Sequence, residues 1–171
     1  VNSLPVPTFT TGPASACAAT SGHVYTTQAG MSNYVWSVSA GGTITSGGGT
    51  ANKSVTITWN AAGAGTVGVA YTNGNGCTTA SPTIQHVNVN ALPTTYAVGG
   101  TGAHCAAATV TLAGSQSGIQ YQLRLNGNNH GSAVAGNGNQ LTWNGLAAGT
   151  YTVVANNLSS ACVQTMTGNA V

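Results

Sequence analysis

The chain contains no aspartate and no glutamate, and Lys53 and Arg124 are its only lysine and arginine. Charged residues make up 1% of its 171 residues, where about a quarter is usual for a soluble protein. Each absence removes a class of chemistry. Glycoside hydrolysis needs a pair of carboxylates. A hydrolytic triad needs an acidic group to orient its histidine. Calcium sites draw on several carboxylate oxygens. A net charge of +2 carried by two isolated cations makes no basic patch, so nucleic acid is not an expected partner. No apolar run approaches the roughly 20 residues that cross a bilayer, and Val1-Asn2-Ser3-Leu4-Pro5 lacks the features of a signal peptide. There is no Cys-x-x-Cys, no Gly-x-Ser-x-Gly and no phosphate loop. The four histidines, His23, His86, His104 and His130, are scattered without ligand spacing. The expectation is a non-enzymatic chain with no cofactor and no metal. So neutral a surface suits a free monomer poorly.

What is present is strand patterning. Tyr34-Val35-Trp36-Ser37-Val38, Ser54-Val55-Thr56-Ile57-Thr58-Trp59 and Thr83-Ile84-Gln85-His86-Val87-Asn88-Val89 alternate apolar with polar side chains. Thr109-Val110-Thr111-Leu112, Ile119-Gln120-Tyr121-Gln122-Leu123-Arg124-Leu125 and Thr150-Tyr151-Thr152-Val153 do the same later in the chain. Period-2 alternation marks strands with one buried face. Turn signals separate them: Gly41-Gly42, Gly47-Gly48-Gly49, Asn73-Gly74-Asn75-Gly76 and Asn126-Gly127. No useful stretch shows the helical period. Several short strands per half with regular turns predict an all-β protein built of β-sandwiches.

The two halves repeat. Val1-Asn2-Ser3-Leu4-Pro5 recurs as Val89-Asn90-Ala91-Leu92-Pro93, and Cys17 recurs as Cys105 at the same shift. Gly65-Thr66-Val67 then matches Gly149-Thr150-Tyr151, and Cys77 matches Cys162, at a slightly smaller shift. A few residues are therefore missing from one loop of the second half. The repeat predicts one module over residues 1–90 and a second over 91–171, joined at a stiff Leu-Pro segment. The chain stops about where a third Val-Asn-x-Leu-Pro is due, as a piece of a longer array would.

Four cysteines, two per repeat, allow three pairings. Only Cys17 with Cys77 and Cys105 with Cys162 respects the repeat. Each such bond closes a loop of about 60 residues, for which chain entropy gives roughly 4 kcal/mol, and modules this small have small cores to rely on. Disulfides place the chain in an oxidising compartment. Among the aromatics, Tyr71 lies on the strand leading to Cys77 and reads as core. Trp59 and Trp143 each precede an asparagine near a strand end. Buried, they cap the sandwich, which is the favoured reading; exposed, they could stack on a sugar ring. Asn52-Lys53-Ser54 and Asn157-Leu158-Ser159 match the glycosylation triplet, which chance supplies readily in a chain this rich in Asn, Ser and Thr.

Taken together, these motifs resemble the PKD-like and Ig-like repeats of very large Bacteroidota surface proteins, including gliding-motility adhesins. The resemblance runs from Leu4-Pro5-Val6-Pro7-Thr8, Gly12-Pro13 and Cys17 through Tyr34-Val35-Trp36-Ser37-Val38-Ser39-Ala40-Gly41-Gly42 to Tyr71-Thr72-Asn73-Gly74-Asn75-Gly76-Cys77. It resumes at Gly114-Ser115-Gln116-Ser117-Gly118 and at Ala148-Gly149-Thr150-Tyr151-Thr152-Val153 with Cys162. It implies two tandem immunoglobulin-like (PKD-like) β-sandwich modules, with Trp36 at the core position of such a fold. It also implies export by type IX secretion and display at the cell surface. The chain would then be a structural repeat of an extracellular adhesin or filament serving adhesion or gliding. Its partners would be neighbouring repeats, further copies assembled into filaments, or surface-anchoring proteins. The rival is a carbohydrate-binding module that uses Trp59 or Trp143 on glycans. A weaker third reading, an ice-binding array of threonines, suffers from the Gly and Asn that interrupt the Thr rows.

Overall fold

In the computed structural model the chain is described over residues 2–101 and 108–171. It forms two compact units, residues 1–91 and 92–171, and the described residues contain strands and turns with no α-helix.

Unit 1 holds eight strands: β1 (Phe9–Thr11), β2 (Ser15–Cys17), β3 (Thr20–Thr27), β4 (Ser32–Val38), β5 (Gly42–Gly47), β6 (Ser54–Trp59), β7 (Gly63–Thr72) and β8 (Thr83–Asn90). They divide into two four-stranded sheets, ordered β1-β3-β6-β5 and β2-β8-β7-β4. Every pairing is antiparallel except β2 with β8, where Ser15 opposes Asn88 and Cys17 opposes Asn90. The alternation in β6 explains its place: Val55, Ile57 and Trp59 are buried while Ser54, Thr56 and Thr58 face outward. Opposite them, Trp36, Val67, Val69, Tyr71, Val87 and Val89 supply the other wall of one continuous core. The sandwich follows because each sheet has one apolar face and must cover it.

Unit 2 holds β9 (Val98–Thr101), β10 (Ala108–Leu112), β11 (Ile119–Leu125), β12 (Asn128–Asn129), β13 (Val134–Ala135), β14 (Leu141–Leu146), β15 (Tyr151–Asn157) and β16 (Val163–Thr165). One sheet is ordered β14-β10-β9; the other is β12-β11-β15-β16, with β13 also pairing with β11. The β11–β12 hairpin turns on Asn126 and Gly127, whose φ values of 49° and 84° are both positive. An Asn-Gly turn of this kind matches the strand twist. Its own core gathers Val110, Leu112, Tyr121, Leu123, Tyr151 and Val153 between the sheets. The chain is thus an all-β pair of immunoglobulin-like sandwich modules.

Candidate functional site

The chemically distinctive positions are the cysteines, the tryptophans and the amide-rich outer face of unit 2. Cys77 lies in the turn between β7 and β8. Asn73 organises this turn: its backbone N–H donates to the Cys77 carbonyl (2.9 Å), and its Oδ1 accepts from the N–H groups of Asn75 (3.1 Å) and Cys77 (3.0 Å). The Cys77 thiol points toward the Asn75 carbonyl at 4.0 Å. Unit 2 repeats the device between β15 and β16. The Asn157 N–H donates to the Cys162 carbonyl (2.9 Å), and Asn157 Oδ1 accepts from Ser159 (3.0 Å) and Ser160 (3.4 Å). Cys162 Sγ sits 3.8 Å from the Ser160 carbonyl. Cys77 and Cys162 therefore stand at corresponding points of the two units, each with its carbonyl accepting the N–H of the asparagine that heads the turn. Asn157, the second glycosylation-triplet asparagine, spends its side-chain oxygen on this turn. In the first triplet, Asn52 Oδ1 accepts from the Gly49 N–H (3.0 Å) and its carbonyl takes the Trp36 indole N–H (2.9 Å).

The structure corrects the expected Cys17–Cys77 bond. Cys77 is a half-buried free thiol, whereas Cys17 is disulfide-bonded. The reason is geometric. Cys17 opposes Asn90 at the last residue of β8, while the Cys77 turn lies beyond Thr83, the first residue of β8, whose partner is Val69. Eight residues of strand separate them by about 25 Å, and a disulfide needs Cα atoms within roughly 7 Å. Cys162 is fully buried and disulfide-bonded. Cys105 lies outside the described residues, as does His104, so the expected Cys105–Cys162 bond lies outside them too.

Trp59 is 1% exposed, so it offers no stacking surface for a sugar, and the platform reading is corrected for this ring. Its indole N–H donates to the Tyr25 hydroxyl (3.3 Å), which in turn donates to the Pro13 carbonyl (3.2 Å). Burial pushes the Tyr25 phenol above its ordinary pKa, with the Trp59 hydrogen bond opposing the shift. Two glycines make room for the indole: a Cβ on Gly65 would lie 2.6 Å from the ring and one on Gly42 2.8 Å from it. Trp143 is half-buried against the unit 2 core, and its indole nitrogen is enclosed without a hydrogen-bond partner. Trp36 is buried in the core, edge-on to Phe9 at 6.1 Å, and Tyr71 is buried edge-on to Tyr34 at 5.8 Å.

On the outer face of unit 2, Gln120, Gln122, Arg124 and Asn156 border a shallow cavity of about 220 Å³. Gln122 Nε2 donates to the carbonyls of Leu123 (2.7 Å) and His130 (3.1 Å). Arg124 Nε donates to Asn129 Oδ1 (3.2 Å), a neutral acceptor in a chain that has no side-chain carboxylate. His23 Nε2 lies 2.8 Å from Thr20 Oγ1, and the His130 ring meets Tyr151 edge-on at 5.8 Å. Among the described residues no three histidine, cysteine or acidic side chains converge on a point, and no helix is long and apolar enough to cross a membrane. The sequence signalled the Asn-headed turns only weakly: Asn73-Gly74-Asn75-Gly76 reads as a turn, but Asn157-Leu158-Ser159-Ser160 does not, and its role appears only in the hydrogen bonds.

No curated protein matches the chain. Among solved structures, the fibronectin(III)-like modules of Clostridium thermocellum CbhA align at a TM-score of 0.42 and 16% identity, covering 96% of this chain and 93% of that one. The Yersinia pseudotuberculosis adhesin InvE aligns at 0.37 and 14% identity over 96% of this chain and 58% of its own. The Bacteroides ovatus protein SGBP-B, solved with a mixed-linkage heptasaccharide, aligns at 0.36 and 16% identity over 98% of this chain and 48% of its own. At the level of sequence families, residues 4–86, nearly the whole of unit 1, match the PKD-like domain.

Proposed function

We propose that the chain is a pair of structural repeats from an extracellular cell-surface adhesin or filament, with no catalytic role. The observation that supports this most strongly is the duplication of one cysteine-bearing design. Both units are small sandwiches, and both place a cysteine on an Asn-headed turn after the long strand. Two-fold repetition of a module without a converging cluster of reactive side chains fits length and mechanical resistance better than recognition. Disulfide-bonded cysteines fit an oxidising compartment, and the PKD-like match fits a domain type generally without catalysis. The resemblance to gliding-motility adhesins extends the reading to a Bacteroidota surface protein exported by type IX secretion. Neighbouring repeats are its first partners.

The test is protease shaving of intact source cells followed by peptide mass spectrometry. Peptides from both units should be released before cytoplasmic proteins appear. Retention of these peptides until lysis would overturn the reading. The sugar-binding alternative loses the buried Trp59 and rests on the half-buried Trp143 alone.

A further inference from the structure

We infer that Cys77 is a linkage site, forming a disulfide with a cysteine carried by another module of this type that abuts the entry end of unit 1. Three observations support it. First, Cys77 and Cys162 hold corresponding positions on Asn-headed turns, their carbonyls accepting from Asn73 and Asn157, and Cys162 is disulfide-bonded while Cys77 is a free thiol. The position is therefore one at which this fold makes disulfides. Second, unit 1 cannot supply the partner. Its other cysteine, Cys17, is already disulfide-bonded and lies at the far end of the sandwich. Third, the Cys77 turn stands where the chain enters the unit. Asn73 Nδ2 donates to the Ser3 carbonyl (3.4 Å), and Thr83 Oγ1 donates to the Pro7 carbonyl (2.7 Å). Gly76 and Thr78, on either side of Cys77, border an open polar depression of about 650 Å³ with Met31, Asn33 and Asn73, which gives an incoming loop somewhere to sit.

The chemistry balances with a small-molecule or protein disulfide as oxidant. The Cys77 and partner thiols lose two protons and two electrons to form the new S–S bond, and the oxidant's disulfide is reduced to two thiols. No strain within unit 1 is needed, because the bond joins it to a body outside it. The inference rests on the reading of the chain as repeats of an exported protein.

The test is non-reducing peptide mapping of the full native protein, alkylated with N-ethylmaleimide during harvest, with chymotrypsin because Lys53 and Arg124 give trypsin few sites. Expected is a Cys77 peptide linked to a cysteine peptide from outside residues 1–171, and a link to Cys105 or Cys162 overturns the inference. A Cys77 carrying N-ethylmaleimide beside a disulfide-bonded Cys162 overturns the inference and leaves the exported-repeat reading standing. Alkylation of every cysteine overturns both. A Cys77→Ser variant supplies the second readout: melting of the isolated chain should be unchanged, because the thiol makes no bond inside its unit, while the linked peptide should be lost. A fall in the melting temperature of the isolated variant would show that the thiol serves unit 1 itself, against the inference.

Discussion

At the residue scale, Trp59 is the largest fully buried side chain among the described residues. It is enclosed between the sheets, tied to Tyr25, and fitted against the backbone of Gly65 and Gly42. Trp59→Ala removes a fully buried indole, and losses of this kind run to about 3–5 kcal/mol; thermal or urea unfolding would measure it. Gly65→Ala fails from the other direction, forcing a methyl group against the ring, and overpacking of this order costs about 1–3 kcal/mol. The tryptophan's burial agrees with its placement in the Ser54–Trp59 alternation, so that part of the site was legible. The need for glycine at 65 was not, because only the ring's position across the sandwich reveals it. Tyr25, Tyr71 and Tyr121 are pushed above the usual phenol pKa of 10.0, chiefly by burial. The neutral phenol is thus the form the fold prefers. Its contribution is complete below pH 10 and is lost as pH rises through the raised folded values. The melting temperature should hold to about pH 10 and fall beyond it, with Tyr121→Phe flattening the alkaline slope. An equal slope in that variant would remove the tyrosine from the explanation.

At the element scale, the Asn-headed turns are the recurring device. Asn157→Ala strips the acceptor from the Ser159 and Ser160 N–H groups, and at about 1 kcal/mol per hydrogen bond the unit should lose roughly 1–2 kcal/mol. Amide hydrogen exchange should quicken at Ser159 and Ser160 and stay unchanged in unit 1. The strands that alternate strictly were readable in advance: β6 and β11 have the expected limits, and β4, β8 and β10 differ by a residue or two. The longest strand, β7, was seen only in part. Gly63, Gly65 and Gly68 blur its pattern, and Val67, Gly68 and Val69 are buried in succession because it is a central strand. The cysteine pairing misled for a related reason. Counting two per repeat respects symmetry, but it cannot show that Cys17 and Cys77 sit at opposite ends of one sandwich.

At the scale of the whole molecule, the missing carboxylates have a measurable consequence. Acid denaturation comes largely from protonating carboxylates that the native state holds ionised, and here no side chain can take part. Between about pH 5 and pH 2 the unfolding free energy should stay nearly constant. Side-chain salt bridges between acid and base are likewise impossible, so added sodium chloride should leave the melting temperature almost unmoved. A steep acid transition would show that histidines or the chain ends dominate instead. Stability then falls to the two apolar cores, the turn hydrogen bonds and disulfide bonding.

The central claim is that the chain contributes structure and not recognition, and a replacement experiment tests it most directly. In the protein that carries it, residues 4–171 would be exchanged for an unrelated two-module β-sandwich of equal length, and attachment of the cells would be measured at matched surface amounts. Attachment within about twofold of the original is the predicted result. Loss of attachment with the chimera fully displayed would contradict the account, and would place a specific binding surface within these two units.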